Sequence, residues 1–205
     1  MDIMLHDLDM TLMNLLTESL PPDLAASIDI RFDAPDDTFS PDTARTLDLF
    51  LYDVRENREL RSNEPIVERQ NNGSIRQIRP PVWMDCSYFI TAWSNVKPDT
   101  VPNKQIIVRE EHELLSEVMK VLLRYPILPT AILQGKLQDQ DPPRTSMLQP
   151  SMLQSIAEFW QALGGKPRAA LNYMVTIAVE VEEPQAAAPI VTDRQVRLSQ
   201  GVTGG

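Results

Sequence analysis

The stretch "TLDLFLYDV", residues 46–54, decides how the chain folds. Leu47, Leu49 and Leu51 fall on one side of an extended backbone and Phe50, Tyr52 and Val54 on the other, because successive strand side chains point to opposite faces. A strand that is apolar on both sides needs cover on both, which places it in the middle of a sheet. The chain then runs straight into charge. Asp53, Arg55, Glu56, Arg58, Glu59, Arg61 and Glu64 are seven charged residues among the twelve from 53 to 64, four acidic and three basic. The run nearly neutralises itself, so it addresses no ligand of a single sign. It reads either as a solvated connector or as an ordered polar surface that meets another protein.

The neighbours of this strand supply the rest of a sheet. Upstream, "SIDIRF" (27–32) alternates Ile28, Ile30 and Phe32 with Asp29 and Arg31, the period-two pattern of a strand with one wet face; "APDDTFSPDT" (34–43) then reads as a turn-rich loop. Downstream, residues 66–79 read as a polar hairpin turning at Asn72-Gly73, the positive-φ pair of a tight type I′ turn. "VWMDCSYFITAW" (82–93) is a long strand with an aromatic second face, and "LNYMVTIAVEV" (171–181) sets Leu171, Tyr173, Val175, Ile177, Val179 and Val181 on one side. Helical spacing appears three times. Leu5, Leu8, Leu12, Leu15 and Leu16 form a stripe ended by Pro21-Pro22; Ile107, Leu114, Val118 and Leu122 lie along 103–124. Met152, Ile156, Phe159, Trp160 and Leu163 follow from a Ser151 cap to Gly164-Gly165. Between the last two, "DQDPPRT" reads as a Pro-rich connection.

The expected class is α+β: a mainly antiparallel sheet of about four long strands plus a hairpin, flanked by helices. Residues 1–183 are expected to form one domain and 184–205 a flexible tail, which opens with "EEPQAAAP" and closes with "GVTGG". Within the tail Ile190, Thr192, Arg194, Val196 and Leu198 alternate, so this segment can become a strand where an open sheet edge is offered to it.

Composition removes several functions. The net charge of −10 and pI near 4.7 repel a phosphate backbone, and no Lys/Arg run overrides that field. No apolar run approaches the roughly 20 residues that span a bilayer. "MDIMLHDLDMTL" places acids where a signal peptide needs a basic region, so folding in the cytoplasm is expected. Cys86 is the single cysteine, mid-strand, and reads as a buried inert thiol. Only His6 and His112 are available for His-dependent catalysis, and both fall on polar helical stretches. Glu110, Glu111 and Glu113 read as a charged helix face, Asp36-Asp37 lie in a Pro-flanked loop, and the glycines form no phosphate loop. No cofactor or metal is expected. A binding or structural protein is the favoured class.

Taken in order, "IDIRFDAP", "LFLYDVRENRELRSNE", "ERQNNG", "RPPVWMDCSYFITAWS", "LLSEVMKVLLRYPILP" and "EFWQALGGKPRAALNYMVTIAVE" resemble the cap or tail-terminator proteins of extracellular contractile injection systems, phage-tail-like particles. The resemblance runs from about residue 1 to 183. It implies a non-enzymatic hexameric ring that stops growth of the inner tube and sheath at the end distal to the baseplate and couples the two. Its partners are then copies of itself, the tube protein and the sheath protein. It also implies a place in a cytoplasmically assembled particle, either released or tethered to a membrane through other components. On this reading Arg55, Glu56, Arg58, Glu59, Arg61, Asn63, Glu64, Arg69, Asn71, Asn72 and Gly73 are candidate subunit or tube contacts, and Ile190, Thr192, Arg194, Val196 and Leu198 candidates for strand exchange with the sheath, the alternative being that the domain's own sheet edge receives a sheath arm. The rivals are a baseplate or adaptor subunit of the same kind of particle, and a small acidic enzyme whose site would be a deep pocket of convergent titratable groups.

Overall fold

The computed structural model describes residues 4–35, 45–69, 75–96, 100, 103, 105–147 and 156–181. Two compact units emerge, one built from the chain up to Leu60 together with Trp83–Val179, the other containing Arg61–Val82.

The first unit is organised by a five-stranded sheet. Its strands are β1 (Ile28–Arg31), β2 (Arg45–Glu56), β5 (Val82–Trp93), β6 (Arg144–Met147) and β7 (Ala170–Val179), in the order β1-β2-β5-β7-β6. As expected from its two apolar sides, β2 is internal. One side, Leu47 and Leu49, joins Cys86, Tyr88, Ile90 and Ala92 of β5 and Leu171, Tyr173, Val175 and Ile177 of β7 in the main core. Over that face lie α1 (Met4–Ser19), through Leu8, Leu12, Leu15 and Leu16, and α3 (Gln105–Arg124), through Leu114, Val118 and Leu122. The opposite side is closed by α4 (Ile156–Ala162). Phe159 stacks edge-on at 4.8 Å from Phe89, and the fully buried Trp160 lies 5.5 Å from the same ring. α4 stops at the expected glycines: Gly165 N–H donates to Trp160 O and Gly164 N–H to Gln161 O, with Gly164 at φ +73°. This is the paired hydrogen-bond pattern that a left-handed residue makes possible at a helix end.

Several details depart from the sequence reading. Among the described residues three strands are long, not four: β1 has four residues, and it pairs parallel to β2, Ile28 to Arg45 through Arg31 to Asp48. β6 begins in the expected Pro-rich connection and runs on through residues 146–147, for which no element was expected. It is paired antiparallel to Tyr173–Thr176 of β7, and its other side is tied down by Leu128 N–H to Pro143 O and Thr145 N–H to Pro126 O. "RTSM" carries no strong strand signal, so this neighbourhood, not propensity, makes it extended. The leucine stripe of α1 begins at Leu8, because Leu5 is 38% exposed. Val54 is 40% exposed, since the β2–β5 register shifts between Leu51 and Asp53 and the two-sided cover ends at Tyr52. The 34–43 loop, except Ala34 and Pro35, and residues 151–155 with Ser151 lie outside the described residues.

α1 is locked to the 3-10 turn Gly135–Asp139 by polar contacts. Lys136 N–H donates to Asp7 Oδ2 at 3.0 Å, and Gln134 N–H to Thr11 Oγ1 at 3.0 Å. Gly135 sits at φ +51°, and a Cβ there would collide with the Asp7 carboxyl group, so a larger residue is strained and displaces that carboxyl.

The second unit contains a separate two-stranded antiparallel sheet, β3 (Ile66–Arg69) with β4 (Ile75–Ile78), paired Ile66 to Ile78 and Arg69 to Ile75. This is the expected hairpin; its turn at Asn72-Gly73 lies outside the described residues.

Candidate docking surfaces

The charged run begins while the chain is still a strand. Arg55 stands opposite Asp85 in the β2–β5 ladder and its Nε is 2.5 Å from Asp53 Oδ2; Glu56, half-buried, ends β2 opposite Met84. Asn57 then turns the backbone out of the sheet. Its N–H donates to Trp83 O at 2.8 Å, its Nδ2 donates to both carboxylate oxygens of Asp85 at 3.1 Å, and its Oδ1 accepts from the N–H groups of Glu59 and Leu60. Asp85 is held in turn by the Thr176 hydroxyl of β7 at 2.7 Å. One asparagine thus fixes a tight turn on three strands and presents Arg58, Glu59 and Leu60 to solvent. This part of the run is an ordered surface. The sequence reading missed Asn57 as an anchor; an asparagine directly after a strand is its only signal there.

The remaining candidates separate. Arg61, Asn63, Glu64 and Arg69 belong to the second unit and are exposed, with Arg69 closing β3. Asn71, Asn72 and Gly73, and the strand-exchange candidates Ile190, Thr192, Arg194, Val196 and Leu198, lie outside the described residues.

A second surface, which no pattern in the chain marks out, opens at the other end of β2. α2 (Pro22–Ala25) supplies Leu24, the start of β2 supplies Arg45, and α3 supplies a stripe at positions 105, 108, 109, 112, 113, 116 and 117. Spacings of three and four put these on one helix face. Together they wall an open groove of about 830 Å³. Val108, 46% exposed, and the half-buried Leu24 give it apolar surface, while Arg45, Arg109, Glu113 and Glu117 place two positive and two negative charges around it. Arg109 Nε pairs with Glu113 at 2.7 Å and Lys120 Nζ with Glu117 at 2.7 Å. Its titratable carboxylates are thus engaged in surface ion pairs.

The other groups considered for chemistry have structural partners. Glu111 accepts from Arg168 at 2.7 Å, and that guanidinium lies 3.9 Å above the Trp93 ring; Glu110 accepts from the Ser94 hydroxyl at 2.6 Å. These contacts tie the end of β5 to α3. Cys86 is fully buried and burial pushes its thiol up to about 12, which makes it unreactive. His6 is exposed on α1, and His112 is exposed and lines the groove. Among the described residues no cluster of His, Cys, Asp and Glu is arranged to hold a metal ion, and no helix is long and apolar enough to cross a membrane.

The α+β sheet domain thus carries a hydrogen-bonded polar turn at one end of the internal strand β2 and a mixed-sign groove at the other. The chain belongs to the Pvc16 N-terminal domain family, whose model matches residues 7–193. It is similar to the solved sheath/tube terminator of a PVC extracellular contractile injection system in the extended state: TM-score 0.70 and 28% identity, over 100% of this chain and 66% of that one. It is also similar to the tube-terminating cap of the anti-feeding prophage, with TM-score 0.64 and 27% identity over 92% of this chain. The chain thus spans just under two thirds of the first structure's length and 59% of the second's. No curated protein matches it.

Proposed function

We propose that this chain caps the distal end of a contractile injection particle, ending inner-tube and sheath growth and joining the two as a hexameric ring. The observation that carries the reading is the 28% identical match to a sheath/tube terminator over the whole of this chain. The role is structural and non-enzymatic. Its partners are other copies of the chain, the tube protein and the sheath protein, in a cytoplasmically assembled particle that is released or tethered through other components. Six copies carry 6 × −10 = −60, so the surfaces that meet must be locally balanced or faced by basic partners, and assembly is salt-sensitive. Arg55, Glu56, Arg58 and Glu59 offer such a balanced surface, with Arg61, Asn63, Glu64, Arg69 and the 71–73 turn as further contacts of the second unit. Residues 1–183 act as the capping domain, and the sheath is joined either by the 190–198 segment ordering as an added strand or by a sheath arm pairing with the domain's own sheet edge.

Electron micrographs of particles from cells lacking the chain test this. Tubes of irregular length and sheaths that slip from them are expected; uniform particles with attached sheaths refute the capping role. Removing residues 184–205 tests the tail separately, and unchanged sheath retention ends its part.

A further inference from the structure

We infer that the turn Arg58–Leu60 of one copy seats in the α2–α3 groove of the next, so that the two ends of β2 are the two halves of one head-to-tail contact. The inference rests on the ring reading above and names the surfaces by which the ring closes.

A cyclic ring larger than a dimer needs two different patches on every subunit, so placed that each copy's donor meets its neighbour's acceptor. The internal strand β2 provides that placement. Arg45, its first residue, lines the groove, and the turn starts immediately after its last residue, Glu56. A strand of 12 residues rising about 3.3 Å per residue separates the two patches by roughly 35 Å. They cannot meet within one chain.

The patches are also matched. Leu60 projects from the turn 38% exposed, and the exposed Val108 and half-buried Leu24 offer apolar surface inside the groove. The turn carries one positive and one negative charge, Arg58 and Glu59; the groove carries Arg45 and Arg109 against Glu113 and Glu117. On a chain of net charge −10, copies repel at most approaches, and these two surfaces are each locally neutral. Opposed signs on each side let Arg58 face a groove carboxylate while Glu59 faces a groove guanidinium, and a slip in register brings like charges together. Rigidity completes the fit. The hydrogen bonds of Asn57 to Asp85 and to the Glu59 and Leu60 amides set the turn before contact, so little ordering cost remains.

The test is a disulfide trap in assembled particles. Full chains carrying both Leu60→Cys and Val108→Cys are oxidised in the particle and separated under denaturing conditions without reductant. A ladder running from dimers up to the closed ring is expected, with chains carrying either substitution alone remaining monomeric. Capped particles of uniform length whose cap gives no ladder overturn this contact and leave the capping function standing. Particles whose tips lack even the wild-type chain overturn that function, and the contact with it. Leu60→Asp gives an independent reading at an exposed position: ring association weakens by about tenfold while the thermal melt of the isolated chain is unchanged. A ring of undiminished stability in that variant also overturns the inference.

Discussion

Replacing Asp48 by asparagine is expected to remove most of the pH dependence of this fold. Asp48 sits on β2 with no solvent exposure; its Oδ1 accepts the Asp33 N–H at 3.1 Å, and its Oδ2 has no hydrogen-bond partner among the described residues. Burial pushes its carboxyl up to about 8, the Asp33 charge raises it further, and the Asp33 amide, the nearby Thr91 hydroxyl and Arg31 only partly offset this. The folded protein therefore keeps a proton that the unfolded chain releases near 3.8. Between those values the native state binds more protons than the unfolded state, so stability falls as pH rises and levels off above the folded value. Taking about 8 and 3.8, the loss between about pH 5 and about pH 9 is about 4 kcal/mol. The substituted asparagine would keep an acceptor for the Asp33 amide without carrying a proton to lose. Urea unfolding followed by tryptophan fluorescence at both pH values checks this: the wild type loses stability on going alkaline, and Asp48→Asn loses far less. A wild type equally stable at both values, or a variant with the same slope, refutes the reasoning.

Other outcomes follow from the same geometry. Gly135→Ala forces a side chain into a φ +51° backbone against Asp7 and should cost about 2–4 kcal/mol, visible as a lowered melting temperature; Gly135→Ala with wild-type stability argues against the Asp7 lock. Trp160→Ala empties the aromatic layer beneath α4 and should cost about 3–5 kcal/mol, read from the denaturant midpoint. Asn57→Ala leaves Asp85 short of a donor and releases two turn amides, costing about 1–3 kcal/mol, with faster hydrogen exchange at Glu59 and Leu60. Cys86, buried and with its thiol raised to about 12, should resist alkylation until the protein unfolds; rapid labelling of the native chain would contradict that burial.

Much of this architecture was legible before any coordinates. β5 spans the twelve residues that alternation assigned to it, β2 is internal as its two apolar sides require, and α3 and the end of α4 fall where spacing and paired glycines put them. The sequence left the charged run open between a connector and an ordered surface, and its anchor was hidden. Asn57 matters because Asp85 stands beside it from a strand 28 residues onward, and Thr176 from still farther along the chain. The groove was equally hidden, since it joins Leu24, Arg45 and one side of α3, residues with no common pattern.

From the sequence alone came the alternation and helical stripes, the breakers, the charge balance and the resemblance, because each is local or additive along the chain. Only the tertiary structure decided that β1 runs parallel to β2, that "RTSM" is a strand, that Asp48 holds its proton, and that a rigid turn and a groove occupy opposite ends of one strand. Those are properties of juxtaposition: burial, pairing and desolvation are set by residues far away in the chain, and no window of the sequence contains both partners.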